Sequence, residues 1–220
     1  MAHPYYPPNV EISGGYVPNE LSVPALINRF VGVITVHLGT TLVLARAVNR
    51  RLGWGEQAVF LWFMLCAFLH CFFEGYFILH HVALGSSQDL FAQLWKEYSL
   101  SDSRYMTSNP FMLCIETLTV FIWGPLSVLA GALVVTGSKG LRHVVQIVLS
   151  VGHLYGVLLY YGTCYFEEMY RGVVYSRPEG LYYWVYYVGM NSPWAVVPAL
   201  LIFQSTREIR RRYGPTGESR

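Results

Sequence analysis

The sequence predicts an all-α fold, a polytopic membrane protein built as a five-transmembrane-helix bundle. Three features point to it. Of the 220 residues, 54% are hydrophobic and only 13% are charged, where a soluble domain carries roughly a quarter charged residues. Five runs are apolar for long enough to cross a bilayer, which takes roughly 20 helical residues each. Between those runs, basic loops alternate with neutral or acidic ones, as an odd number of crossings requires.

The chain opens on MAHPYYPPNVEISGGYVPNE, with prolines at 4, 7, 8 and 18. It has no basic stretch leading into an apolar core, so it reads as an extended tail over residues 1–22 and not as a signal peptide. The five predicted spans are Val23–Ala45, Ala58–Leu79, Phe111–Val135, Val144–Tyr165 and Leu181–Phe203. Pro125, Pro193 and Pro198 fall inside spans, where a kink or local unwinding is expected. The longest connection runs from His80 to Pro110 and contains QLWKEYSLSDSRY. Its Trp95, Tyr98 and Tyr105 sit among charges, a mixture that suits the membrane interface and predicts a short interfacial helix. Residues 205–220 form a basic tail.

Arg46, Arg50, Arg51, Lys139, Arg142 and the arginines at 207, 210, 211 and 212 belong to one set of loops and the carboxyl tail. The other loops balance their charges, and the amino tail holds only Glu11 and Glu20. The positive-inside rule then places the amino terminus lumenal or outside and the carboxyl terminus in the cytosol. The arginines read as a topology anchor, with no nucleic-acid site implied. Cys66, Cys71, Cys114 and Cys164 lie in or beside apolar runs without metal-ligand spacing, so no metal site is expected and small core residues are the reading.

The polar residues inside the spans carry the functional signal. His70 and Glu74 stand four apart in LHCFFEGY, on one helical face. Glu116 and Thr119 stand three apart in the third span with Trp123 a turn on, and Asn191 and Trp194 three apart in the fifth. A carboxylate within the bilayer costs several kcal/mol unless it faces a cavity or a partner. Each residue also has a structural reading. His70–Glu74 could pin its helix, Glu116 and Asn191 could bond between helices, and Thr119 could bond its own backbone. His37 and His153 have no carboxylate near them in sequence and read as structural; His80 and His81 read as interfacial. Taken together, two buried acids, an imidazole and aromatic rings suit proton relocation in an apolar ligand, since burial favours the protonated carboxyl and ring faces attract a cation. Spacing alone does not establish that chemistry.

Longer stretches go further: HPYYP, GYVPN, LHCFFEGYF, QLWKEYSLSDSRY, CIETLTVFIWGPLS, QIVLSVGHLYGVLLY and YYVGMNSPWAVVP. In order and spacing, from His3 to Pro198, they resemble the emopamil-binding protein family, the membrane sterol Δ8–Δ7 isomerases with an EXPERA-type domain. The resemblance implies a five-helix isomerase domain over 23–204 in the endoplasmic reticulum membrane, acting without a cofactor on zymosterol- or cholestenol-like sterols through protonation, a carbocation and deprotonation. It implies catalytic roles for His70, Glu74, Glu116, Thr119, Asn191 and Trp194. It makes Tyr98 and Tyr105 the loop tyrosines that close the sterol pocket; Trp123 and Tyr187, read from the aromatic rings of the spans, are expected as further substrate-binding residues. The implied partners are a sterol, amphiphilic amine inhibitors and membrane lipid, with room for a homodimer. The chain departs from the family pattern at Val157, where some members carry aspartate, and at His153, where glutamine is common. The stretch TCYFEEMYRGVVYSRPEG matches poorly. The alternatives are a non-catalytic sterol- or amphiphile-binding protein of the sigma-2 receptor type and a small transporter, although no internal repeat supports the latter.

Overall fold

The computed structural model describes residues 3–213. Taking each continuous helical rod once, it contains α1 (Val23–Val48), α2 (Trp54–His80), α3 (Leu90–Tyr98), α4 (Pro110–Thr136), α5 (Lys139–Arg171) and α6 (Leu181–Tyr213). All except α3 are long and apolar enough to cross a membrane, and no strand occurs among the described residues. Every predicted span lies inside one of these helices. Two run on further than expected: α5 passes Tyr165 to reach Arg171, and α6 passes the expected boundary at 204 to reach Tyr213. Residues 214–220 of the basic tail lie outside the described residues.

Local sequence explains the ends. The Asp89 carboxylate accepts from the backbone N–H groups of Phe91 and Ala92, capping α3. Asn109 caps α4 in the same way with Pro110 as its first residue. Gly137 and Gly172, at φ +70° and +64°, end α4 and α5 in the left-handed conformation that glycine adopts without a Cβ clash.

The main core joins Phe60, Phe63 and Met64 of α2 to Ala130 and Val134 of α4 and Leu149 of α5. A polar seam adds to it, where Gln146 Nε2 donates to Leu201 O at 3.1 Å and to Ser205 Oγ at 2.8 Å, tying α5 to α6. Helix α1 is peripheral, with Leu26 and Ala45 its buried residues. It is tethered by His37 Nε2 to the carbonyl of Met64 at 3.0 Å, the structural role that a lone span histidine suggested.

A second core sits under the α2–α4 connection and contains Trp95, Tyr105, Phe77 and Met112. The short helix predicted in this connection is α3, and its rings turn into the bundle. Trp95 is 2% exposed, stacks on Phe73 at 4.5 Å, and donates its indole N–H to Phe73 O at 2.9 Å. The loop therefore folds inward as a lid, because its rings find a larger apolar surface in the bundle mouth than at its rim. A buried ion pair holds it there. Arg104 donates to both Asp102 oxygens, at 2.7 and 3.0 Å from its Nη2 and Nε, and to Thr163 Oγ1 of α5 at 2.6 Å. Burial works against the charged guanidinium, but the Asp102 carboxylate outweighs it and holds the Arg104 pKa above its ordinary value. The amino-terminal tail straps the lid from outside: Tyr5 is buried and donates to Lys96 O at 3.0 Å, and Lys96 Nζ donates to Val17 O at 2.9 Å.

Three spanning helices widen into π-helical runs: Leu69–Glu74 in α2, Thr119–Trp123 in α4 and Leu181–Gly189 in α6. Such interruptions of an α-helix often mark functional sites. Two meet directly, because Gly124 presses on α2. A Cβ there would lie 2.5 Å from Cys71 Sγ.

Candidate active site

One cavity of about 380 Å³ opens in the bundle beneath the lid, within the size range of small-molecule sites. His70, Glu74, Glu116, Thr119, Asn191 and Trp194 all line it, as do Tyr98, Tyr105 and Trp123. Three spanning helices, α2, α4 and α6, and the lid thus bring together residues that lie far apart in sequence. The two carboxylates face the same space.

Each polar group is held by a named partner. His70 Nδ1 lies 2.8 Å from Glu74 Oε2, a pairing set by their four-residue spacing within the π run. Its Nε2 lies 3.0 Å from Nε2 of His153 on α5. The Tyr105 hydroxyl donates to Glu116 Oε1 at 2.9 Å. Asn191 Nδ2 donates to the Tyr98 hydroxyl at 2.9 Å and to Tyr187 O at 2.8 Å. Burial pushes the Tyr98 and Tyr105 phenols up, so both remain protonated and able to donate. Thr119 donates its hydroxyl to Ile115 O at 2.9 Å, leaving its oxygen to accept. The Trp194 ring packs against Trp62 at 5.3 Å and His70 at 6.4 Å. The Trp123 ring lies so close to Gly152 that a Cβ there would come within 2.6 Å of it.

Among the described residues, Cys66, His70 and His153 are a set of Cys and His donor atoms lying within 4.8 Å of one another. The two imidazole nitrogens face each other directly, and one proton between them satisfies both as donor and acceptor.

The sequence pattern of EXPERA (EXPanded EBP superfamily) matches residues 90–205. A 3-beta-hydroxysteroid-Delta(8),Delta(7)-isomerase of Mus musculus is 35% identical over 94% of this chain and 88% of its own length. The chain belongs to the EXPERA family. A probable isomerase of the same description from Oryza sativa subsp. japonica is 29% identical, over 94% of this chain and 92% of its own. An isomeliandiol synthase of Melia azedarach is 35% identical over 70% of each chain.

Within this EXPERA bundle two expectations are corrected. Tyr187 does not line the cavity. Its ring packs on Tyr160 at 5.3 Å and Tyr161 at 5.1 Å, so it backs the wall and holds Asn191 through its carbonyl. The dense aromatic run of the fifth span gave no period to tell inward rings from supporting ones. His153 is no isolated structural histidine; it lines the cavity in contact with His70. Sequence reasoning also missed Trp95, Tyr160, Phe30 and Met190 as lining residues. Of these, Trp95 carried a signal, since it belongs to the QLWKEY stretch. Val157, a departure from the family pattern, is on the wall as well.

Proposed function

We propose that this EXPERA protein is a sterol Δ8–Δ7 isomerase, moving the 8,9 double bond of a zymosterol- or cholestenol-like sterol to the 7,8 position. The observation that carries the reading is the convergence of His70–Glu74 and Tyr105–Glu116 on one aromatic-walled cavity. A group from this set gives a proton to C9 of the alkene, leaving a cation at C8. A second group takes a proton from C7, and the C–H pair becomes the 7,8 bond. One proton enters and one leaves, so formula and electron count are unchanged and the reaction as written needs no electron carrier.

The cation between those steps sits among carboxylates and the faces of Trp194 and Trp123, where ring quadrupoles and fixed negative charge stabilise it more than the neutral sterol. Asn191 sets the Tyr98 hydroxyl, and Thr119 presents an acceptor oxygen. The lid keeps bulk water from the cation, which would otherwise be trapped as an alcohol. Amphiphilic amines mimic this cation and are expected ligands. The expected setting is the endoplasmic reticulum membrane, multi-pass, with the amino terminus lumenal and the carboxyl terminus cytosolic from the loop charges.

The test is expression in cells lacking sterol Δ8–Δ7 isomerase, with the sterols read by mass spectrometry. Restored Δ7 sterols are expected. Persistent Δ8 sterols despite folded protein and retained sterol binding would instead establish a binding protein.

A further inference from the structure

Cys66 and His70 stand four apart on α2, so their side chains share one face. Gly124 of α4 presses on this stretch, where a Cβ would meet His70 Cβ at 3.4 Å, and so holds the backbone that carries the imidazole. His153 comes from α5 and turns its Nε2 to within 3.0 Å of His70 Nε2. The donor atoms of all three residues lie within 4.8 Å of one another, and all three residues are buried. The other nitrogen of His70, Nδ1, is 2.8 Å from Glu74 Oε2. That is the carboxylate contact by which proteins orient a metal-binding imidazole and raise its basicity. Because the third donor lies 83 residues from His70, no local spacing in the sequence announces the set.

We propose that Cys66, His70 and His153 are the three protein ligands of a Zn²⁺ site whose fourth position opens on the cavity, and that zinc there inhibits the enzyme by holding His70. The inhibition, though not the binding, rests on the isomerase reading above. The donor set selects the ion: one thiolate and two imidazoles suit zinc, whereas Mg²⁺ and Ca²⁺ take oxygen ligands. Zn–N bonds of about 2.0–2.1 Å and a Zn–S bond of about 2.3 Å put tetrahedral donors about 3.3–3.6 Å apart, so a change of about 1 Å in donor spacing seats the ion. From a protonated Glu74, one Zn²⁺ enters and two protons leave, the thiol proton of Cys66 and the one between the imidazoles. Glu74 passes its own proton to His70 Nδ1, and no electron moves. The two positive charges of zinc then meet one negative charge on Cys66 and one on Glu74, a neutral set that an apolar interior can hold. With Nε2 on zinc and Nδ1–H donating to Glu74, His70 has no site left to exchange a proton. Where family members carry glutamine at the position of His153, the set is one ligand short, so the site belongs to chains with histidine there.

The experiment uses the full chain in detergent, purified without a polyhistidine tag, with zinc counted by mass spectrometry after desalting and Co²⁺ as an optical stand-in. One zinc per chain is expected, and Co²⁺ should show a thiolate charge-transfer band with the visible spectrum of a tetrahedral site. Both should be lost in Cys66→Ala and in His153→Gln, which keeps most of the side-chain bulk. Glu74→Gln should weaken zinc binding about 10–100-fold although it removes no ligand. Conversion of Δ8 sterol is then read with and without Zn²⁺, each protein serving as its own reference. Zinc should inhibit the parent, EDTA should restore it, and the ratio should stay near one in Cys66→Ala. Equal zinc binding by the parent and both ligand variants, a cobalt spectrum without the thiolate band, or full conversion by zinc-loaded parent would overturn the proposal. A parent that binds one zinc but isomerises no sterol sinks the isomerase reading and leaves the zinc site standing, which separates the two failures.

Discussion

Gly152 fixes how far the Trp123 ring can withdraw from the cavity. A Cβ at this position would lie 2.6 Å from two atoms of the indole's six-membered ring, whereas carbon atoms in contact settle near 3.5–4.0 Å. Gly152→Ala therefore drives the ring about 1 Å toward the cavity, or spreads α4 from α5 by a similar amount. Overpacking of this kind costs about 1–3 kcal/mol, and a shift of about 1 Å in a wall that positions substrate lowers turnover by up to roughly 10²-fold. The measurements are the thermal unfolding midpoint of the detergent-solubilised protein and kcat/KM for Δ8 sterol. Both should fall, and Trp123→Phe added to Gly152→Ala should recover stability, because phenyl lacks the part of the indole that clashes. A Gly152→Ala variant with the parent's midpoint and kcat/KM would refute the reasoning, since the contact would then have given way at no cost.

Glu74→Gln and Glu116→Gln keep shape and hydrogen bonding but not proton exchange, so each should lower Δ8-to-Δ7 conversion by roughly 10²–10⁴-fold in folded protein; near-normal turnover in both would point to a binding protein. Asp102→Ala strands the buried Arg104 guanidinium and should cost about 3–5 kcal/mol, read as a large drop in unfolding midpoint. An amphiphilic tertiary amine should compete with sterol and lose affinity in Trp194→Ala, while equal binding of its neutral isostere would argue against a cation-stabilising pocket. In selectively permeabilised cells a tag after Arg212 should be reachable from the cytosol and a tag before Glu11 protected; the reverse pattern would overturn the orientation read from the loop charges.

The sequence exposed this site where burial carries a visible cost. His70, Glu74 and Glu116 stand out because an acid or imidazole in an apolar run demands a partner, and their spacing names the helix face. His153 demanded one equally, but its partner lies 83 residues away, beyond what any local pattern records. Trp95 looked interfacial because its neighbours are charged; which way a loop ring turns depends on the hollow it can fill, and that hollow forms only when α2, α4 and α5 assemble. Tyr187 was placed on the wall because Tyr182, Tyr183, Trp184, Tyr186 and Tyr187 offer rings in almost every direction. The five spans were legible for a simpler reason, since apolar length is a local property.

The π-helical runs were not legible, and they tie the lid to the chemistry. A strict α-helix over Leu69–Glu74 would engage each carbonyl along its own axis. In the structure the carbonyl of Phe73 accepts the Trp95 indole N–H at 2.9 Å while the next residue, Glu74, bonds His70. Trp95 in turn packs on Tyr105 at 4.7 Å, and Tyr105 donates to Glu116. A displacement of the lid is thus felt at both carboxylates through two bonded routes, one along the backbone of α2 and one through a phenol.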